Sequence, residues 1–268
     1  MVLDDPKSAE GKLPATARQA WLAELLRRSG FLSVAETAER LGVSSMTIRR
    51  DLKSLEARGI LTRTHGGAIA AEGRRGEVFD AVEPEFEQRR RNQATAKAVI
   101  AAAAARLIGP NATVALDVGT SVLALAKELA ARSDLKFITN NLPAAMMLSG
   151  RPVYVLGGQL RAPELAVIGA VAHEQARNYN VDHAFIGVSG VMESGCYDYS
   201  PEDTEVKRAF IERARQVVVL CDSSKFDHRA MARICELRQC HVLVTEIQPP
   251  PHLVHAFDAA GTELVVAA

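Results

Sequence analysis

Nothing in this sequence marks it for a membrane, an export route or a metal. Its longest apolar run, Ala98 to Ala105, is eight residues and mostly alanine, where a bilayer span needs about 18. Met1 to Gly11 carries Asp4, Asp5 and Glu10 and no apolar core, so it is not a secretory signal, and 1–12 is expected to be disordered. Cys196, Cys221, Cys235 and Cys240 form no CxxC pair, and the spacing from 235 to 240 fits no common zinc signature. They read as reduced thiols of a cytoplasmic protein. His173, His183, His228, His241, His252 and His255 are scattered, with no pair at i and i+4 beside a carboxylate, so no metal or other cofactor is expected. Net charge is missing too, since 32 Lys and Arg meet 32 Asp and Glu. No segment repeats another. What remains is a soluble globular chain of 268 residues, 48% hydrophobic, enough for one or two domains with a substantial core.

The balanced charge is unevenly spread. From Lys12 to Gly67 there are ten Lys or Arg against five Asp or Glu. Within that region Val43 to Leu61, VSSMTIRRDLKSLEARGIL, places Ile48, Leu52 and Leu55 on one helical stripe, with Met46, Thr47, Arg50, Lys53 and Ser54 opposite and Arg49 on the flank. Upstream, Ser33 to Glu36 is a capping box for a short helix ending at Leu41, Gly42 supplies a turn, and Ser44 can cap the next helix. An earlier helix is expected between Pro14 and Gly30, where Trp21, Leu22, Leu25 and Leu26 cluster at helical spacing. Ile60 to Ile69 reads as two short strands with a double glycine between them. The pattern is a winged helix-turn-helix, and its excess of basic charge suits a phosphate backbone. A helix pair with a solvated charged face is the plainer reading of the same pattern.

The stretch Ser33 to Ala68, SVAETAERLGVSSMTIRRDLKSLEARGILTRTHGGA, resembles the DeoR-type bacterial transcriptional regulators, most specifically in TIRRDL and R-x-HGGA. The resemblance implies binding to double-stranded operator DNA. On that reading Ser45, Met46, Thr47 and Arg50 reach base edges, and Arg49, Lys53, Arg63 and His65 meet phosphates. The DNA-binding domain is placed at 13–70.

Residues 71–93 are charged, contain glycine and proline, and show little periodicity, so they read as a linker. Arg89, Arg90 and Arg91 at its end are expected to be solvated or paired with Glu83, Glu85 and Glu87. A helix is expected over Ala94 to Leu107. Beyond it, over 94–268, strand-like and helical runs alternate, the pattern of an α/β parallel sheet, which makes the whole chain α+β. The expected strands are Thr113 to Leu116, Lys136 to Thr139, Val153 to Leu156, Ala184 to Ile186, Val217 to Leu220, His241 to Val244 and Glu263 to Val266. Helices are expected at Val122 to Ala131, Ala144 to Leu148 and Thr204 to Ala214.

Such a sheet binds ligands beyond the carboxyl ends of its strands. There the sequence reads Asp117-Val118-Gly119-Thr120-Ser121, Thr139-Asn140-Asn141, Gly157-Gly158, Gly187-Val188-Ser189-Gly190 and Asp222-Ser223-Ser224-Lys225. The first offers backbone amides, hydroxyls and a helix N-terminus, a cradle for phosphate. Each has a plainer alternative: a tight turn at Gly119 or Gly157-Gly158, a helix cap at Thr120, Ser121, Asn140 or Asn141, and a surface lysine beside Asp222 and Asp227.

Thr113 to Glu246 also resembles the DeoR family, through LDVGTS, TNNL, LGGQL, AFIGVSG, EVKRA and DSSKF. The family's sensor domain is related in fold to ribose-5-phosphate isomerase. The resemblance implies a repressor released from its operator by a phosphorylated sugar or polyol, held by Asp117, Gly119, Thr120, Ser121, Asn140, Asn141, Gly158, Ser189 and Lys225. TNNL, GVSG, Tyr197-Asp198-Tyr199 and the prolines Pro249 to Pro251 look most like the glycerol-3-phosphate regulon repressors, which makes glycerol 3-phosphate the leading effector. The rival reading is a sugar-phosphate isomerase-like enzyme fused to a DNA-binding domain. The stretch matching that enzyme family's aspartate-rich segment, Ile186 to Gly190, holds no carboxylate, and the remaining Asp117 and Glu205 are a poor catalytic set. No catalytic residue is assigned. One helix-turn-helix reads only a short half-site, so a homodimer or homotetramer is expected.

Overall fold

The computed structural model describes residues 14–29, 31–57, 60–64, 67–70, 78–79 and 86–267. The expectation for 1–12 and the assignment of His65 lie outside the described residues, as does most of the stretch read as a linker. The chain divides into two compact units, Met1–Gly76 and Glu77–Ala268.

In the first unit α1 (Ala15–Ser29), α2 (Val34–Leu41) and α3 (Ser45–Ala57) pack with a small sheet of β1 (Phe31–Ser33), β2 (Leu61–Thr64) and β3 (Gly67–Ala70). Leu22, Leu26, Ile48, Leu52, Leu55 and Leu61 form its core, with Trp21 and Leu25 packed at the edge. The helical periods therefore settle on one shared interior. The wing has three strands, not two: β1 pairs antiparallel with β3, which pairs with β2. Phe31–Ser33 is too short for its alternation to register in the sequence. Gly67 opens β3 opposite Thr64 and does not serve as a free linker between strands.

The second unit is built on a seven-stranded sheet in the order β17 (Glu263–Val266), β16 (Val242–Thr245), β13 (Ala214–Leu220), β10 (Val181–Gly187), β5 (Thr113–Leu116), β6 (Lys136–Thr139) and β7 (Val153–Val155), in which every pairing is parallel. Its earlier elements are β4 (Val78–Phe79), α4 (Phe86–Arg91), α5 (Ala94–Ala105), β5 (Thr113–Leu116), α6 (Thr120–Leu129), β6 (Lys136–Thr139), α7 (Leu142–Met147), β7 (Val153–Val155), β8 (Gln159–Arg161), β9 (Ala166–Ile168) and α8 (Ala170–Arg177). There follow β10 (Val181–Gly187), β11 (Gly190–Met192), β12 (Gly195–Asp198), α9 (Pro201–Arg213), β13 (Ala214–Leu220), β14 (His228–Arg229), β15 (Ala232–Cys235), β16 (Val242–Thr245), α10 (Pro251–Ala260) and β17 (Glu263–Val266).

The sheet has helices on both faces because its strands send alternate residues to opposite sides. Val114, Leu116, Phe137, Phe185, Val218 and Val244 join Ile100, Leu125 and Leu129 from α5 and α6 in one buried cluster. Ala115, Ile138, Ala184, Ile186, Val217 and Leu243 join Phe210 of α9 and Phe257 of α10 in the other. All seven expected strands are present, as are the three helices expected between them. The α8 helix, the β8–β9 hairpin and the small sheet β11-β12-β15 were not anticipated, being short, polar or glycine-rich.

The supposed linker is partly structured. Val78–Phe79 pairs with His228–Arg229, and Phe86–Arg91 is helical, so the end of 71–93 belongs to the second unit. Arg90 does pair with Glu87, at 2.9 Å on the exposed surface. Arg89 turns inward, contrary to expectation, and meets Glu164.

Candidate functional site

The first candidate surface is the outer face of α3. Ile48, Leu52 and Leu55 are buried, which turns Ser45, Met46, Arg49, Arg50 and Lys53 outward, and Met46 is 68% exposed. Thr47 is half-buried and its hydroxyl lies 2.9 Å from that of Ser44, which also accepts the Thr47 amide at 3.2 Å as the helix cap. Arg63 lies in β2. One charged residue of this helix faces inward: Asp51 is buried and takes hydrogen bonds from Arg18 Nε and Gln19 Nε2 of α1. Sequence reasoning passed over it, although 51 falls with 48, 52 and 55 on the buried stripe.

The second site follows from strand order. From β5 the chain moves outward through β6 and β7, then returns to the other side of β5 and moves outward again through β10, β13, β16 and β17. The reversal lies between β5 and β10, where the loops beyond the strand ends part and leave a crevice. A cleft is present there. It is lined by Val118 to Ser121 after β5, Gly187 to Ser189 after β10, Asp198 of β12, Leu220, Asp222, Ser224 and Lys225 at and after β13, and Arg89, Asn92, Gln93 and Lys97 from α4, α5 and the turn between them. The loops after β5 and β10 nearly touch, so that a Cβ on Gly187 would stand 2.9 Å from the carbonyl oxygen of Val118.

The cleft brings backbone amides and three cations together with two carboxylates, Asp198 and Asp222. Helix α6 begins in it at Gly119 without a side-chain cap, leaving the first-turn amides for a ligand. Arg89, Lys97 and Lys225 stand around them. Lys97 is 6% exposed and its ammonium donates to the carbonyl of Asn92 at 2.6 Å, with Asp222 3.9 Å away. Burial pushes the Lys97 pKa down, Asp222 pulls it back, and Lys225 and Arg89 push it down further. The two carboxylates near Lys225 in sequence bond elsewhere. Asp222 accepts from the Ser224 amide at 3.1 Å, and Asp227 pairs with His252 at 2.6 Å.

Of the predicted effector residues, Gly119, Thr120, Ser121, Ser189 and Lys225 line this cleft and four others do not. Asn141 caps α7, accepting from the Ala144 amide at 3.1 Å, and donates to the carbonyl of Asp117 at 3.2 Å. Asn140 is fully buried and donates to the carbonyl of Val167 at 3.2 Å. Gly158, with φ 147°, sits in a turn where a Cβ would press within 2.6 Å of the carbonyl of Ile168. Asn141 and Gly158 thus take the plainer forms, a helix cap and a turn, whereas Asn140 caps no helix and bonds the backbone of β9 instead. Asp117 lies beneath the cleft, fully buried, where it accepts from the Gly187 amide at 3.1 Å and from Lys207.

Lys207, absent from the predicted set, is the buried tie of the site. Its ammonium meets Asp117 and also Asp198 at 3.2 Å and the carbonyl of Gly187 at 3.0 Å. Burial works against its charge, but Asp117, Asp198 and Asp203 outweigh that and hold its pKa above the ordinary lysine value. It fastens the loops after β5 and β10 to α9. The signal was available, because 207 lies on the stripe of α9 with Phe210 and Ile211, all buried.

The comparisons agree with this two-part organisation. Residues 18–74 match the model of the DeoR-like helix-turn-helix domain, and residues 92–247 match that of the DeoR C terminal sensor domain. This chain belongs to the DeoR family. As a member it is a DNA-binding transcriptional repressor, with α3 as the second helix of its helix-turn-helix and the cleft inside its sensor domain. The glycerol-3-phosphate regulon repressor of Escherichia coli K12 is 31% identical over 88% of this chain and 92% of its own length. The transcriptional repressor AccR of Agrobacterium fabrum is 34% identical over 85% and 88%. A ribose 5-phosphate isomerase A from Methanocaldococcus jannaschii overlaps 50% of this chain and 55% of its own at 21% identity, with a TM-score of 0.39. Among the described residues no helix is long and apolar enough to cross a membrane.

Proposed function

We propose that this DeoR-family repressor is released from its operator by a phosphorylated sugar or polyol, with glycerol 3-phosphate the leading candidate. The observation that carries the reading is the convergence of the uncapped N-terminus of α6 with Arg89, Lys97 and Lys225 in one cleft. Amides and cations together recognise a phosphate better than either set alone. The hydroxyls of Thr120, Ser121 and Ser189 supply further bonds to the phosphate or the polyol. Arg89, Asn92 and Gln93 belong to the N-terminal part of the second unit, so a ligand that draws on them engages the part of the sensor nearest in sequence to the DNA-binding unit. Asp117 serves as a structural partner of Lys207, not as a ligand to the effector.

On the DNA side, Ser45, Met46, Thr47 and Arg50 face base edges, while Arg49, Lys53, Arg63 and His65 hold phosphates. The repressor binds as a homodimer or homotetramer, pairing its recognition helices on two half-sites. The isomerase alternative is disfavoured because Asp117 and Asp198 are committed to Lys207 and Glu205 is exposed and outside the cleft.

A thermal-shift panel tests the sensor reading, because a ligand selective for the native state raises the melting temperature with ln(1 + [L]/Kd). Glycerol 3-phosphate is expected to shift the melting point, and glycerol and hexose phosphates are not. A shift with another phosphate discards glycerol 3-phosphate and keeps the cradle. Silence across every phosphate discards the phosphate reading.

A further inference from the structure

Three of the four cysteines meet in space although they are far apart in sequence. Cys196 of β12 lies opposite Cys235 of β15 in the antiparallel register. A tight turn over Leu237–Gln239 then brings the chain back, closed by the Glu236 amide donating to the Gln239 side chain at 3.1 Å and the Cys240 amide donating to the carbonyl of Leu237 at 2.8 Å. The Sγ of Cys240 comes to rest 3.5 Å from that of Cys235 and 3.7 Å from that of Cys196, and all three sulfurs lie within 4.8 Å of one another. The residues are buried in the same apolar cluster as Ile234 and Leu237.

We propose that Cys196, Cys235 and Cys240 form a site for a soft monovalent d¹⁰ cation, Cu(I), bound by sulfur alone. Three sulfurs around a metal at about 2.3 Å stand roughly 3.8 to 4.0 Å apart, so the observed spacing needs only small side-chain rotations. A disulfide requires approach to about 2.05 Å and would leave one thiol unused. Thiolate donors select soft cations, and the surroundings select among these. Zinc asks for a fourth ligand, and among the described residues this group contains no fourth Cys, His, Asp or Glu. Cu(I) is satisfied by two or three sulfurs and asks for no water in an apolar interior. Each thiolate formed releases one proton as the metal enters, and the metal's oxidation state does not change. Arg208 stands against the same strand, donating through Nε to the carbonyl of Ile234 at 3.1 Å, and offsets part of the remaining negative charge. None of the three cysteines lines the effector cleft, and the proposal does not depend on the reading of that cleft.

The test titrates the full-length reduced protein, under anaerobic conditions, against Cu(I) held by a chromophoric chelator. One copper per chain is expected to leave the chelator, with a thiolate-to-copper charge-transfer band. Cys240→Ser is expected to weaken binding at least tenfold, whereas Cys221→Ser, outside the trio, retains it. Copper X-ray absorption on the unmutated complex provides a check that no folding defect can mimic, with sulfur neighbours only. Failure to compete with the chelator, equal loss in both variants, nitrogen or oxygen in the copper shell, or uptake of Zn(II) in preference to Cu(I) would each overturn the assignment.

Discussion

At Lys97 burial and charge pull in opposite directions, and an incoming phosphate changes the balance. The free site holds this ammonium below its ordinary pKa of 10.5, first through burial and then through Lys225 and Arg89 against the pull of Asp222. A bound dianion favours the charged form, so its affinity is full below the pKa of the free site and declines as pH rises through it. Effector titration by calorimetry is expected to show this decline beginning at a lower pH than an ordinary lysine would give. Lys97→Gln is expected to bind more weakly at neutral pH and to lose that alkaline limb; an unchanged limb would move the charge to another group. On the recognition helix, Arg50→Ala is expected to cost roughly 1 to 3 kcal/mol at one base position, while Lys53→Ala weakens all sequences alike. Competition with single-base operator variants separates the two, and a uniform loss for both removes the division of roles.

The α3 helix shows how an element can be located correctly and one of its residues passed over. Its cap at Ser44 and its apolar stripe follow from spacing alone, yet Asp51 in the middle of a basic helix looks like surface charge. The same spacing turns it inward, where Arg18 and Gln19 of α1 meet it. Removing one partner of a buried pair leaves the other uncompensated. Asp51→Ala is therefore expected to destabilise the DNA-binding unit by about 3 to 5 kcal/mol, with a smaller loss for Asp51→Asn, which keeps an acceptor. Chemical denaturation followed at Trp21 would measure it, and a loss under 1 kcal/mol would show that Arg18 finds other partners. In the sensor, the first turn of α6 lines the cleft, and its sequence, strand then glycine then hydroxyls, marks that turn.

For the whole molecule, the two sites must be linked if the effector releases the operator. Coupling of this kind typically amounts to about 1 to 3 kcal/mol and is reciprocal. Saturating effector is expected to weaken operator binding by about 5- to 150-fold, and saturating operator is expected to weaken effector binding by the same factor. Fluorescence anisotropy with labelled operator gives the first factor and calorimetry with and without operator gives the second. An effector that binds and leaves operator affinity unchanged is not the inducer.

What the sequence determined by itself was local. Period 2 and period 3.6 placed the parallel strands and the helices between them, because burial selects for repeats that each backbone imposes. Gly119 and the hydroxyls of Thr120 and Ser121 after β5, with Ser189 after β10, were legible as cleft-lining positions for the same reason: they sit at element ends, where caps and turns leave a chemical signature. Asn140, Asn141 and Gly158 carried that signature but do not line the cleft, since an amide that caps a helix and one that lines a cleft look the same in a string. Tertiary structure decided the rest. Lys207 meets Asp117 across 90 residues, Arg89 meets Glu164 across 75, and Cys196 meets Cys240 across 44. Those meetings depend on strand order and on which loops part at the reversal between β5 and β10, and no local period encodes the order in which strands assemble.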